Sequence, residues 1–182
     1  LSPFISKPLC FWNDKENKKH LGSYFSKYTN VWCQGDYAKQ TSRGSFVVYG
    51  RSDATLNPGG IRVGTAEIYN IVEKINSVYE SVAVEQRFKN DTRVILFVKL
   101  KENIKLDGVL KEKIKRKIKQ SLSPRHIPSK IIQVFDIPKT KSGKVVELAI
   151  KKIINNERVE NASSLVNPES LEGYKNIVEL KY

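Results

Sequence analysis

Methionine is absent from all 182 residues. With no initiator in it, the chain is expected to be a portion of a longer protein. Cysteine is scarce as well. Cys10 and Cys33 stand in no Cys-x-x-Cys spacing, and only two histidines accompany them. That falls short of a structural zinc site. Two cysteines could close one disulfide, but nothing else suggests secretion, so two free thiols in a reducing, cytoplasmic compartment are expected. Long apolar runs are missing too. None approaches the roughly 18 residues that mark a membrane-spanning helix. The first twelve residues carry one cation, Lys7, and no apolar stretch of signal-peptide length. Hydrophobic residues make up 40% and charged residues 28%, which suits one ordinary domain, or a smaller domain with extensions.

What the chain has in excess is positive charge. Thirty-two Lys and Arg stand against nineteen Asp and Glu, a net charge of +13. This attracts anions, whether nucleic acid, a membrane surface or a phosphate-rich small molecule, without choosing among them. Seven cations fall between positions 105 and 119, against Asp107 and Glu112. A solvated helix face is the plain reading. A basic nucleic-acid-binding domain is a rival, but no RNA-binding aromatic signature, helix-turn-helix signal or zinc finger accompanies the charge.

Residues 1–30 read as irregular, with Phe4, Phe11, Trp12, Tyr24, Phe25 and Tyr28 interleaved with a lysine-rich stretch at 13–20. This looks like the edge of a larger β-rich body. Gly35-Asp36 signals a turn, and residues 45–49 a strand closed by Gly50. Thr65 can cap a helix on which Ile68, Ile71, Val72 and Ile75 share one face. Residues 78–86 and 93–99 read as strands, joined through Lys89-Asn90-Asp91 as an antiparallel pair. Leu106, Leu110, Ile114, Ile118 and Leu122 recur every fourth residue, an amphipathic helix over 107–122 ended by Pro124. A short strand at 131–135, a polar loop at 138–144 and a helix at 147–154 follow. The fold class is α+β: a small lid domain with a short antiparallel sheet, about three helices on one side of it, preceded by a β-rich remnant. Residues 155–164 are polar and expected to be mobile, while 167–180 carry enough apolar residues to dock elsewhere.

Three clusters carry chemistry. The first is Trp32-Cys33-Gln34-Gly35-Asp36. The second is Gly50-Arg51-Ser52-Asp53, with Asn57-Pro58-Gly59-Gly60-Ile61-Arg62 and Glu67-Ile68 behind it. The third is Pro138-Lys139-Thr140-Lys141-Ser142-Gly143-Lys144. Singly, each has a plain reading. The third lacks the earlier glycine of a phosphate loop and reads as a solvated turn. In the second, Arg51 and Asp53 could be a surface ion pair of little worth, and Arg62 an ordinary exposed cation.

Together and in this order, the clusters resemble the adenylate-forming superfamily of acyl-CoA synthetases, firefly luciferase and peptide-synthetase adenylation domains. The resemblance covers about residues 10–154. It implies an end of the large AMP-binding domain at 1–52, a mobile C-terminal domain at 53–154 and an extension at 155–182. It also implies ATP/AMP and coenzyme A as ligands, with Mg²⁺ accompanying ATP. Asp36 resembles the acid that holds both ribose hydroxyls, for which a carboxylate has the acceptors. Arg51 resembles an arginine at the ribose and phosphate, and Arg62 one used near phosphate. Asp53 resembles the hinge. Gly60, with Gly59 beside it, resembles the glycine past which the pantetheine arm of CoA runs. Lys144 resembles the adenylation lysine, reaching the acyl carboxylate and the α-phosphate. Lys119, near the end of the basic helix, is the candidate for the CoA phosphates. His126 is expected to be structural, and no residue is expected to bind metal.

Narrower features, among them Phe11-Trp12, Tyr24-Phe25-Ser26, Ser123-Pro124-Arg125-His126-Ile127-Pro128 and Asn167-Pro168-Glu169-Ser170-Leu171, resemble the acetoacetate-activating branch. Val146-Glu147 stand where acetate-activating relatives usually carry two arginines. An acetyl- or propionyl-CoA synthetase-like ligase stays open, as does a non-catalytic CoA- or nucleotide-binding module. The family's Gly-rich phosphate loop and its adenine and acyl pockets are not in this sequence. The expected partners are therefore the small-molecule substrates and the N-terminal domain of the same enzyme, and the chain by itself is expected to be inactive.

Overall fold

Asp14 organises the first element. Its carboxylate accepts the backbone N–H of Lys19 at 3.0 Å and of His20 at 2.8 Å, so it closes the open end of helix α1 (Lys18–Tyr24). Tyr24 stacks on Trp32 at 3.8 Å, with Phe11 and His20 set edge-on around it. The computed structural model describes residues 5–159 and 162–181. Phe4 and residues 160–161 of the polar stretch lie outside the described residues. The chain forms two compact units, divided after Asp36. The sequence of residues 13–30 reads as irregular because α1 has only seven residues and is held by aromatic packing, which leaves no periodicity to read. Cys10 and Cys33 are free thiols.

Strands β1 (Asp36–Gln40) and β2 (Phe46–Arg51) pair with each other, and the second unit begins at Tyr37, the second residue of β1. The sequence signals only the turn before β1, since the polar residues of that strand carry no strand pattern. Helix α2 (Thr65–Val72) follows, one residue offset from the expected cap: Gly64 is the cap, and its N–H donates to the Glu67 carboxylate at 3.3 Å.

Strands β3 (Val78–Phe88) and β4 (Asp91–Leu100) form the expected antiparallel pair, with Val82 opposite Phe97 and Val84 opposite Ile95. Helix α3 (Gly108–Ser121), capped by the Asp107 carboxylate on Leu110 N–H at 2.7 Å, then crosses over. The crossover lets β5 (Lys130–Gln133) join β4 in parallel, Phe97 opposite Ile132. Helix α4 (Glu147–Ile154) completes the set.

The helices do not share one side of this sheet. Ala83, Val94, Leu96 and Val98 face α2 and α3, where Ile68, Val72, Leu110, Ile114 and Ile118 are buried. Val82, Val84, Ile95 and Phe97 face the other way, and Ile150 and Ile154 of α4 cover them. The reason lies in the strands. Residues 94–98 are apolar without alternation, which is the pattern of a strand buried on both faces. A one-sided layer would have left Phe97 in water.

The tail completes that second face. Tyr174, 1% exposed, meets Phe97 edge-on at 4.8 Å and donates its hydroxyl to the Asp136 carbonyl at 3.0 Å. Leu171 and Leu180 are buried beside α4 and β3. Among the described residues no strand pairs with the outer edge of β3, which is closed by side chains instead. Glu73 accepts Ser81 N–H at 3.0 Å, the Tyr69 hydroxyl accepts Ala83 N–H at 3.1 Å, and Asn155 Oδ1 accepts Arg87 N–H at 2.7 Å. Asn155, at the start of the stretch expected to be mobile, is thus tied into the sheet. Among the described residues no helix is long and apolar enough to cross a membrane.

Candidate active site

Lys144 stands on a hairpin. Lys139 bridges Val145, Thr140 N–H donates to the Lys144 carbonyl at 2.9 Å, and Gly143 N–H donates to the Thr140 carbonyl at 2.8 Å. The fourth residue of this turn needs a left-handed backbone, and Gly143 supplies it with φ +80°. The Thr140 hydroxyl accepts the Lys144 N–H at 3.1 Å. The two lysines here differ in kind. Lys139 pairs with Glu80 of β3 at 2.8 Å, and this bond, against the opposing effect of burial, raises its amine above the ordinary lysine range. Lys144 is exposed, and none of the described carboxylates pairs with it. One lysine is an anchor; the other is a free point charge at the turn.

The two glycines of the second cluster sit at the other end of the sheet. Leu56 and Val63 exchange backbone hydrogen bonds at 3.0 and 2.9 Å, closing the loop between them. Asn57 N–H donates to Glu85 at 2.8 Å, and the Thr92 hydroxyl donates to the Asn57 carbonyl at 3.2 Å. Gly59 and Gly60 have φ of +58° and +77°. A Cβ on Gly59 would lie 2.7 Å from Nη1 of Arg125, whereas a Cβ on Gly60 would meet nothing within 4 Å. The sequence gives Arg125 no role. Its contact spans 66 positions and leaves no local signal.

Arg62 lines a cavity of about 460 Å³ with Tyr37, Lys39, Tyr49, Glu67 and His126. His126 joins Ser123, at 2.9 Å from Nδ1, to Glu67, at 3.4 Å from Nε2, and so ties the turn after α3 to α2. Lys119 is exposed in the last turn of α3, six residues before Arg125. Arg51 forks onto Asp53 at 3.3 and 3.4 Å, both half exposed. Asp36 is exposed at the first position of β1. Glu147, which follows the hairpin, accepts a short hydrogen bond from Tyr69. Burial pushes the Glu147 carboxyl above its usual range and the Tyr69 hydroxyl well above its own.

The structure thus gathers Gly59 with Arg125, and Arg62 with His126 and Glu67. It does not bring Lys144 to them. Their anchors on β3, Glu80 and Glu85, are five residues apart, about 17 Å along an extended strand.

Residues 67–144 match the AMP-binding enzyme C-terminal domain. That stretch, under half of the chain, is similar to the C-terminal domain of AMP-binding enzymes. Over nearly its whole length it is similar to acetoacetyl-CoA synthetases. It is 49% identical over 178 residues to acetoacetyl-coenzyme A synthetase of Rhizobium meliloti (strain 1021), covering 98% of this chain and 27% of that protein. It is 45% identical over 183 residues to acetoacetyl-CoA synthetase of Xenopus tropicalis, covering 100% and 27%. The solved structure of acetoacetyl-CoA synthetase from Streptomyces lividans overlays with a TM-score of 0.89 at 37% identity, over 99% of this chain and 27% of that one. The chain therefore spans 27% of the length of these relatives.

Proposed function

We propose that this chain is the C-terminal part of an ATP-dependent acid–CoA ligase that converts acetoacetate, ATP and CoA to acetoacetyl-CoA, AMP and pyrophosphate. The observation that carries the reading is the placement of two different loops at the two ends of one rigid sheet. A domain built this way can present either loop to a fixed pocket by rotating, without deforming itself. The division proposed is a remnant of the larger domain at 1–52, the rotating domain at 53–154 and an extension at 155–182, with Asp53 as the hinge.

In the first half-reaction a carboxylate oxygen of the acid attacks the α-phosphorus of ATP. The bond to the bridging oxygen breaks and pyrophosphate leaves. Negative charge builds up around phosphorus, and the Lys144 ammonium is the group suited to stabilise it once water is excluded. Asp36 and Arg51 hold the nucleotide ribose and phosphate, and Arg62 serves near phosphate. In the second half-reaction the CoA sulfur attacks the acyl carbon, its proton passes to solvent, and AMP leaves with the electron pair of the broken acyl–oxygen bond. Gly59 and Gly60 leave room for the pantetheine arm, and Lys119 attracts the CoA phosphates. Magnesium would accompany ATP, neutralising the phosphate charge in the first half-reaction. The adenine and acyl pockets come from the remainder of the polypeptide, and the two free thiols suit a cytoplasmic setting.

The test is acid-dependent pyrophosphate release by the full-length polypeptide, with acetoacetate, acetate and propionate offered separately. Acetoacetate is expected to give the highest kcat/KM, and the isolated 182-residue chain to release none. Preference for acetate would overturn the substrate, and no acid-dependent release with any of the three would overturn the ligase.

A further inference from the structure

Segment 162–181 lies beyond the residues that match the C-terminal domain, yet it grips the base of the Lys144 hairpin. Thr140 and Leu165 form an antiparallel bridge. Val166 N–H donates to the Lys139 carbonyl at 2.9 Å, and Lys139 N–H donates to Asn167 Oδ1 at 2.9 Å. Nδ2 of Asn167 donates to the Ile137 carbonyl at 2.9 Å and, in a short bond, to Oδ2 of Asp136. The amide of Asn167 spends its acceptor and both donors on the stretch of chain that enters the hairpin. Asn167 is itself fixed, because its carbonyl accepts the Ser170 hydroxyl at 2.7 Å and the Ser170 N–H at 3.0 Å. The turn that follows ends in the buried Tyr174, whose hydroxyl returns to the Asp136 carbonyl at 3.0 Å. Lys99 holds the other oxygen of Asp136 at 2.6 Å.

We propose that Asn167, within this segment, is a positioning residue for Lys144: the segment acts as a third strand bracing a hairpin that is otherwise two-stranded. The inference rests on the adenylation role of Lys144. A two-stranded hairpin alone is marginally stable in water, and lysine is a long chain whose ammonium is no better placed than its backbone. Displacing a catalytic group by about 1 Å can cost orders of magnitude in rate. Asn167 touches neither nucleotide nor acid. It fixes the backbone from which Lys144 reaches.

The experiment compares the full-length polypeptide with its Asn167→Asp, Asn167→Ala and Lys144→Ala variants. Asn167→Asp keeps the acceptor, loses both donors and sets a carboxylate against Asp136; Asn167→Ala removes the bonds without adding charge. Amide exchange at Gly143 and Lys144 is expected to quicken at least about tenfold in both, with Leu96 in the sheet unchanged. The kcat of adenylation is expected to fall about tenfold, while KM for ATP and thioester formation from preformed adenylate stay within about twofold. Unchanged exchange in the hairpin, or an equal fall in both half-reactions, would overturn the proposal. If Lys144→Ala keeps full adenylation, the role of the lysine fails, and exchange alone then decides whether Asn167 holds the hairpin.

Discussion

Glu80 and Glu85 lie five residues apart on β3, and each fastens a different loop. Glu80 receives Lys139 at 2.8 Å, at the base of the Lys144 hairpin. Glu85 receives Asn57 N–H at 2.8 Å, at the base of the Gly59-Gly60 loop, and Lys151 of α4 at 3.0 Å. Because one strand carries both acids, the two loops are tied to points about 17 Å apart along it.

The two lysines of the hairpin should therefore separate stability from chemistry. Lys139→Ala leaves the largely buried Glu80 carboxylate without its cation and is expected to cost about 1–3 kcal/mol. Lys144→Ala removes an exposed charge and is expected to stay within about 0.5 kcal/mol of the parent. Denaturant unfolding followed in the C-terminal domain of the full-length polypeptide checks both. A larger loss for Lys144→Ala would contradict the assignment of anchor and free charge.

Arg125 leans on Gly59, so a side chain there must push the guanidinium aside. Gly59→Ala also forces a φ of +58° on an L-residue, at about 1–2 kcal/mol. If this loop is where CoA passes, Gly59→Ala and Arg125→Ala both raise KM for CoA severalfold and leave pyrophosphate release within about twofold. Steady-state kinetics with CoA varied would show it. Equal KM values in parent and Arg125→Ala would remove the arginine from the CoA path.

Asp136 predicts how the tail responds to acid. Burial works against its charge, but hydrogen bonds from the Lys99 ammonium, the Asn167 amide and the Ile137 N–H hold its carboxyl below the usual range. A carboxylate lowered in the folded state stabilises that state above the unfolded pKa, about 3.9. As pH falls through that value towards the folded pKa, the unfolded chain takes up the proton first and the stabilisation is lost. Amide protection at Val166, corrected for intrinsic exchange, is expected to drop between about pH 5 and 3 in the parent. In Asp136→Asn it should be lower at neutral pH and nearly flat across that range. Parallel curves would mean that Asp136 does not govern the docking of the tail.

Much of this architecture is legible in the amino-acid sequence. Helix α4 stands at the positions its pattern indicates, and α3 within a residue, because Leu110, Ile114 and Ile118 repeat with the period of a buried stripe. The motif loops are legible because glycines and a terminal lysine stand in a rare order. Long-range pairings are not. Local sequence does not say that Ile150 covers Val84 instead of Leu96, that Arg125 reaches Gly59, or that Asn167 bonds to Lys139. Each joins positions tens of residues apart, and burial of a shared apolar face, not local propensity, selects it. The parallel β5 belongs to the same kind: four residues with no register signal, placed by the crossover of α3.

The central claim is that Lys144 and Gly60 serve different half-reactions. Its most direct test measures adenylation, as acid-dependent pyrophosphate release, and thioester formation from preformed acyl-adenylate in the full-length polypeptide, for Lys144→Ala and Gly60→Leu side by side. The account predicts a crossed pattern: Lys144→Ala loses adenylation by roughly a hundredfold or more and keeps thioester formation, while Gly60→Leu does the reverse. If both variants lose the same half-reaction, or if Lys144→Ala adenylates at the parental rate, the assignment of the two loops is wrong.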